Sequence, residues 1–314
     1  MKPGNQSSVT GFILVGLTND PLLEGLLFLL LLFVYTLTLV GNLTILLLVC
    51  CSAPLHTPMY LFLTQLSLLD ITFSSAISPK TLVDLLSQKR TISLPGCIAQ
   101  IYLFGACAST ESFMLTSMAF DRYVAICNPL LYTLTMTKCL CARLVAGSYL
   151  GGFLHSLIHA TCLLWLSFCG PDVIDHFACD YPVLLKLSCT DISINELLRF
   201  VIAASFVMVT PLIVIFVSYF KIVTAILRIR TTGGRRRAAS TCISHFTCVF
   251  LFYGTSFCME ILPNSSSSAL QYKLLSLTLT GFIPALNPII YSLRNKEMQQ
   301  ALRRFLYQTS HSSC

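Results

Sequence analysis

Charged side chains are scarce in this chain, and where they sit limits what they can do. Asp121 and Arg122 adjoin, followed by Tyr123, in the stretch MAFDRYVAICNPLLY at the end of a long apolar run. Such a triplet at the end of an apolar run is either an interfacial anchor, since arginine snorkels and tyrosine favours the interface, or an ion pair that works as a two-state latch. Asp70 and Glu111 stand alone inside apolar segments, with Asn287 at similar depth. Ionisable residues there are costly, so these acids are functional candidates by default, or else are protonated and join helices through hydrogen bonds. His176, Cys179 and Asp180 are of types that a transition metal takes, but Cys179 is also available for a disulfide. No nucleophile, base and oxyanion donor come together, so no enzyme is expected.

The elements that must position these groups follow from composition. The 314 residues are 55% hydrophobic and 11% charged, and the mean hydropathy is +0.78, against about 25% charged for soluble domains. A membrane span needs about 20 apolar residues, and seven segments qualify, near 26–49, 58–80, 97–120, 141–164, 197–227, 239–262 and 272–293. The expected fold is an all-α membrane protein, a seven-helix bundle. Residues 1–25 form an outer tail, 26–293 the bundle and 294–314 an inner tail. Most lysines and arginines, including the run from Arg228 to Arg237 and those from Arg294 to Arg304, fall on one side. The positive-inside rule makes that side cytoplasmic and the N-terminus extracellular. The sequons at Asn5 and Asn264 then lie outside, as glycosylation requires. The net charge of +7 is a topological effect with lipid as its partner, and nothing suggests nucleic acid. Beyond Arg294, Met298, Leu302, Phe305 and Leu306 recur at helical spacing, predicting a short amphipathic helix on the inner leaflet. Of 15 cysteines, Cys97, Cys169, Cys179 and Cys189 fall in the oxidising compartment, where four thiols allow three pairings.

The strings MAFDRYVAIC and NPIIY, with seven spans, resemble rhodopsin-like G-protein-coupled receptors. Gly41-Asn42, LHTPMY at 55–60, LSLLD at 66–70, STCISH at 240–245, FYGT at 252–255 and NPIIYSLRN at 287–295 narrow the resemblance to the olfactory receptors, over essentially the whole chain. The resemblance implies an odorant receptor that raises cAMP through a stimulatory heterotrimeric G protein of the olfactory type, at the plasma membrane of sensory cilia. It implies pairs Cys97–Cys179 and Cys169–Cys189. It assigns coupling and activation to Asp121, Arg122, Tyr123, Tyr219, His245, Asn287, Pro288 and Tyr291, and likens Asp70, Glu111 and Asn287 to a sodium cluster. The chain departs from the family pattern at Arg237-Ala238-Ala239-Ser240, where relatives carry Lys-Ala-Phe-Ser, and at Leu131, where many carry arginine.

The ligand is expected in the outer half of the bundle. Phe104, Gly105, Ala108, Ser109 and Ser112 share one face of span three. By resemblance, Ala203, Ala204, Val207 and Met208 of span five, Tyr253, Ser256, Phe257 and Glu260 of span six, and Leu277 and Thr280 of span seven face the same space. Phe104 stands where amine receptors carry aspartate, so a small neutral volatile is expected over a simple amine, for which Glu260 near the mouth is the remaining partner. Other readings are a receptor for a non-odorant metabolite, and a transporter, which would want broken helices and inverted repeats; no such repeat is visible.

Overall fold

The computed structural model describes residues 10–169, 172–229, 231–262, 269–294 and 296–312; the sequons at Asn5 and Asn264 lie outside the described residues. The seven long helices are α1 (Pro21–Cys51), α2 (Pro58–Leu86), α3 (Leu94–Cys127), α4 (Lys138–Leu164), α5 (Ser193–Arg228), α6 (Thr232–Ile261) and α7, which runs through Ala269–Leu277, Thr278–Phe282 and Ile283–Arg294. An eighth, α8, covers Lys296–Ser312. Helices α1, α3 and α4 start a few residues earlier than hydropathy alone suggests because polar caps lie outside the apolar runs. Asp20 accepts hydrogen bonds from the N–H groups of Leu22 and Leu23, with Pro21 in the first turn, so α1 begins at Pro21. Ser93 and Thr137 cap α3 and α4 in the same way.

Among the described residues, five of these seven helices are long and apolar enough to cross a membrane by length and hydropathy. The other two are α3 and α4. Ser109, Thr110, Glu111, Ser112, Thr116 and Ser117 dilute α3, and glycines and histidines dilute α4. Burial shows why the bundle accepts this. Asn42, Asp70, Ser74, Thr110, Glu111, Ser112 and Asn287 are buried, while Phe200, Phe206, Phe216, Phe220 and Phe250 are exposed. Such an inside-out pattern suits lipid as the surrounding solvent.

Close approach of helices depends on small residues. A Cβ on Gly152 of α4 would lie 2.6 Å from the backbone N of Thr110 and 2.9 Å from the Ala106 carbonyl, so only glycine permits this α3–α4 seam. Proline supplies a second device, because it removes an N–H and frees the carbonyl four residues back. Pro211 frees the Val207 carbonyl, which accepts a bond of 2.6 Å from the Ser112 hydroxyl. Pro288 frees the Pro284 carbonyl, and the Asn42 amide donates to it at 3.1 Å. Each broken ladder is thus satisfied from a neighbouring helix. Around Pro211 and in the middle of α7 the helix widens into π-turns, Arg199–Val209 and Thr278–Phe282.

One end of the bundle carries a small sheet of order β2-β1-β3: β1 (Gly11–Leu14), β2 (Thr91–Ser93) and β3 (Val173–Ile174). β1 runs antiparallel to β2 and parallel to β3, and its Phe12 and Leu14 are buried against Cys97, Ile101 and Leu163. Hydropathy did not foretell this strand within the N-terminal tail. At the other end, Met298, Leu302 and Phe305 of α8 pack on Ile45, Leu48 and Leu55, while Leu306 is exposed. The expected apolar stripe therefore docks mainly on α1 and its following turn, with only its far edge turned outward.

Candidate functional site

A cavity of about 220 Å³ opens inside the sheet-bearing end, between α3, α4, α5, α6 and α7. Its roof is the long loop between α4 and α5, contributing Asp180, Tyr181 and Pro182. Disulfides Cys97–Cys179 and Cys169–Cys189, the pairing that the resemblance implied, fix this loop. Gln100 accepts from the Cys179 N–H at 2.8 Å and donates to the Ala76 carbonyl at 3.0 Å. The Asp180 carboxylate accepts from the Tyr181 N–H and from the Tyr272 hydroxyl. A metal at His176, Cys179 and Asp180 is thereby ruled out, since Cys179 lies in a disulfide and both Asp180 oxygens are engaged. His176 is buried, with its ring stacked on Phe177. Burial pushes its pKa below the ordinary imidazole value, partly offset by nearby Asp180.

Of the residues expected around a ligand, Phe104, Gly105, Ala108, Ser109, Val207, Met208, Tyr253, Ser256 and Glu260 line this cavity. Ser112 does not: its hydroxyl lies 2.7 Å from that of Tyr253 and serves the freed Val207 carbonyl below the floor. Phe257 is 58% exposed and turns outward from α6. Leu277 and Thr280 face a separate small void between α1, α2 and α7, with Leu277 packed on Leu31, Ile77 and Phe177. Ala203 belongs to the widened part of α5, and its side chain lies outside the described residues. Gly105 lines the cavity and also lets α4 approach, since a Cβ there would lie 2.8 Å from the Ser156 hydroxyl.

What the sequence reading missed is the α4 wall. His155, Ser156 and His159 line the cavity. Ser109 Oγ and His155 Nδ1 share a hydrogen bond of 2.8 Å, and the two histidines meet through Nε2 atoms 3.2 Å apart. Glu260 at the rim is paired with Arg199 at 2.6 Å, and so is not a free anion. The remaining surface is apolar, from Ile101, Phe104, Phe252, Met259 and Leu279.

Below the floor, the Asn287 amide donates to both oxygens of Asp70 at 3.0 and 3.2 Å, and Glu111 reaches the same amide. At the far end Arg122 donates to Asp121 at 2.8 Å, and Tyr132, in the loop after α3, donates to the other carboxylate oxygen at 2.8 Å. Tyr132 was not foreseen. Burial, then the adjacent Asp121 carboxylate, push its phenol pKa up, so it stays a donor. Tyr219 lies 2.7 Å from His245 Nδ1, and His245 Nε2 lies 3.1 Å from the Leu115 carbonyl. If Nε2 donates to that carbonyl, Nδ1 accepts from Tyr219, joining α5, α6 and α3. Lys221 lies over the Tyr123 ring, Pro288 abuts Gly41, and Tyr291 packs in the core beside Tyr219.

A bundle of seven helices with a roofed, largely apolar cavity at one end and an acid–arginine pair at the other defines a heptahelical G-protein-coupled receptor. The family model described as olfactory receptor matches residues 31–309. The chain is 49% identical over 303 residues to olfactory receptor 2G3 of Homo sapiens, covering 96% of this chain and 98% of that one. It is 49% identical over 301 residues to olfactory receptor 5M5 of Mus musculus, with 96% and 94% covered. The chain therefore belongs to the olfactory receptor family, whose members are receptors and not enzymes.

Proposed function

We propose that this receptor binds a small neutral volatile in the cavity under the disulfide-held loop and activates a stimulatory heterotrimeric G protein of the olfactory type, raising cAMP. The observation that carries this reading is the cavity itself: apolar walls on α3, α5 and α6 with a hydrogen-bonding strip at Ser109 and His155, suited to an apolar body with one polar group. The N-terminus and sheet are then extracellular, and Asp121–Arg122 and α8 cytoplasmic, at the plasma membrane of sensory cilia. A ligand that favours the bundle with α6 displaced would break the Tyr219–His245 contact and free Arg122 for the G protein. Coupling between ligand and G protein is then reciprocal. The pair Asp70 and Glu111, with Asn287 Oδ1 buried and unpartnered among the described residues, offers oxygen donors that fit sodium; when bound, the ion would supply positive charge between α2, α3 and α7.

The test is a screen of varied volatiles on cells carrying the receptor, the olfactory stimulatory G protein and a cAMP reporter. Agonists should act through the intact receptor and lose effect with Arg122→Ala at equal surface expression. Agonist responses that persist in that variant would refute this coupling route.

A further inference from the structure

His155 and His159 lie one turn apart on α4 and both face the cavity. Their Nε2 atoms are 3.2 Å apart, with ring planes at 68°. In the metal-free state one nitrogen donates to the other. When the His159 proton moves from Nε2 to Nδ1, both Nε2 lone pairs are free, and that spacing suits a metal, because nitrogens about 2.1 Å from one ion and 3.2 Å from each other subtend about 100°, between square and tetrahedral angles. The second nitrogen of His155 is oriented by Ser109 at 2.8 Å. When Nδ1–H donates to that hydroxyl, the tautomer presents the Nε2 lone pair to His159. Metal-bound histidines are commonly held this way by a partner on the far ring nitrogen. His159 is buried, its Nδ1 is unpartnered among the described residues, and its ring packs edge-on to Tyr181 at 5.1 Å. Its orientation is thus set by packing.

We propose that His155 and His159 form an open two-imidazole site for a divalent transition ion, Cu²⁺ or Zn²⁺, on the cavity wall. Among the described residues no three His, Cys, Asp or Glu gather into a cage, and the Asp180 carboxylate is occupied by Tyr181 and Tyr272. The ion therefore keeps coordination positions free toward the cavity, for water or for a donor atom of a cavity ligand. Imidazole favours copper and zinc, with copper the tighter, over the oxygen-seeking Mg²⁺. This site stands on the α4 wall alone and does not depend on which volatile, or which G protein, the receptor uses.

The test is Cu²⁺ titration of the purified full-length receptor, with exposed thiols alkylated, read by the electron paramagnetic resonance signature of two coordinated imidazole nitrogens. The wild type should show that signature at about one equivalent, with Zn²⁺ competing and Mg²⁺ not. His155→Asn and His159→Phe, the latter keeping the ring packed on Tyr181, should each lose it. Ser109→Ala, which removes only the orienting hydroxyl, should weaken binding about tenfold. Monodisperse elution checks that each variant folds. A two-nitrogen signature that persists in either folded histidine variant would place the ion elsewhere. Absence of a saturable site up to about 0.1 mM Cu²⁺ in the wild type, a binding free energy weaker than about −5.5 kcal/mol, would overturn the proposal.

Discussion

A carboxylate that accepts two hydrogen bonds is harder to release than one that accepts a single bond, and Asp121, only 1% exposed, accepts from Arg122 and Tyr132. Bonds to a charged group are worth about 1.5–3 kcal/mol. Tyr132→Phe should therefore loosen the resting pair and raise ligand-independent cAMP, while Arg122→Ala should silence signalling; both are read in reporter cells at matched surface expression. An unaltered baseline in Tyr132→Phe would leave that hydroxyl without a part in the latch. At the cavity, Ser109→Ala removes a hydrogen bond worth about 0.5–1.5 kcal/mol, roughly two- to twelvefold in agonist potency. The effect now passes through His155 as well as through any direct bond, so His155→Phe should depress potency for the same agonists. A potency series in which Ser109→Ala matters and His155→Phe does not would separate the two routes.

Helices set where those side chains meet, and the α3–α4 seam is the most exacting contact. The Thr110 backbone N would lie 2.6 Å from a Cβ at position 152; backbone cannot rotate aside as a side chain can. Gly152→Val should push α4 away, move His155 off Ser109 and cost more than the 1–3 kcal/mol usual for overpacking, seen as reduced surface expression and a lower Tm. Gly105→Phe instead meets a side chain, the Ser156 hydroxyl 2.8 Å from its Cβ, and also enters the cavity that Gly105 lines, so a silent Gly105→Phe reports on packing and pocket together. The roof loop has its own sensitivity. His176 resists protonation when buried, whereas the unfolded loop takes a proton near pH 6.5. The unfolded state then binds more protons below that pH, so this contribution to stability is present above about pH 6.5 and is lost as pH falls toward the lower folded value. Purified receptor should melt at lower temperature at pH 5 than at pH 7.5, and His176→Phe, which keeps the stack on Phe177, should flatten that slope. An identical slope in the variant would assign the pH dependence to other groups.

For the whole molecule, the spans, the buried acids and the latch were legible because lipid leaves few places for a charge or an uncapped helix end. Asp70, Glu111, Asp121 and Arg122 stand out against apolar neighbours for that reason. The cavity was only half legible. Its α3 face follows from helical periodicity, but His155, Ser156 and His159 enter through the close approach of α4, which depends on how Gly105 and Gly152 meet their partners across the seam. Phe257 and Ser256 are adjacent, and a modest rotation of α6 decides which one faces in; hydropathy does not encode it. Ser112 reads as a pocket residue until Pro211 is seen to free the carbonyl that it serves. The sheet was invisible because β1 is four residues long and pairs with segments remote in sequence.

That short strand has a consequence in time. β1 leaves the ribosome first, yet its antiparallel neighbour begins at Thr91 and its parallel neighbour at Val173, after two and four helices have been made. Lys273, which donates to the Gly16 carbonyl and to Asp175, arrives with α7. The N-terminal segment can therefore pair with β2 only after two helices and with β3 only after four, and its tie to Lys273 closes once α7 is made. Deleting residues 10–16 should leave insertion of the helices intact and impair only release of the finished chain to the cell surface, a delay readable by pulse-chase.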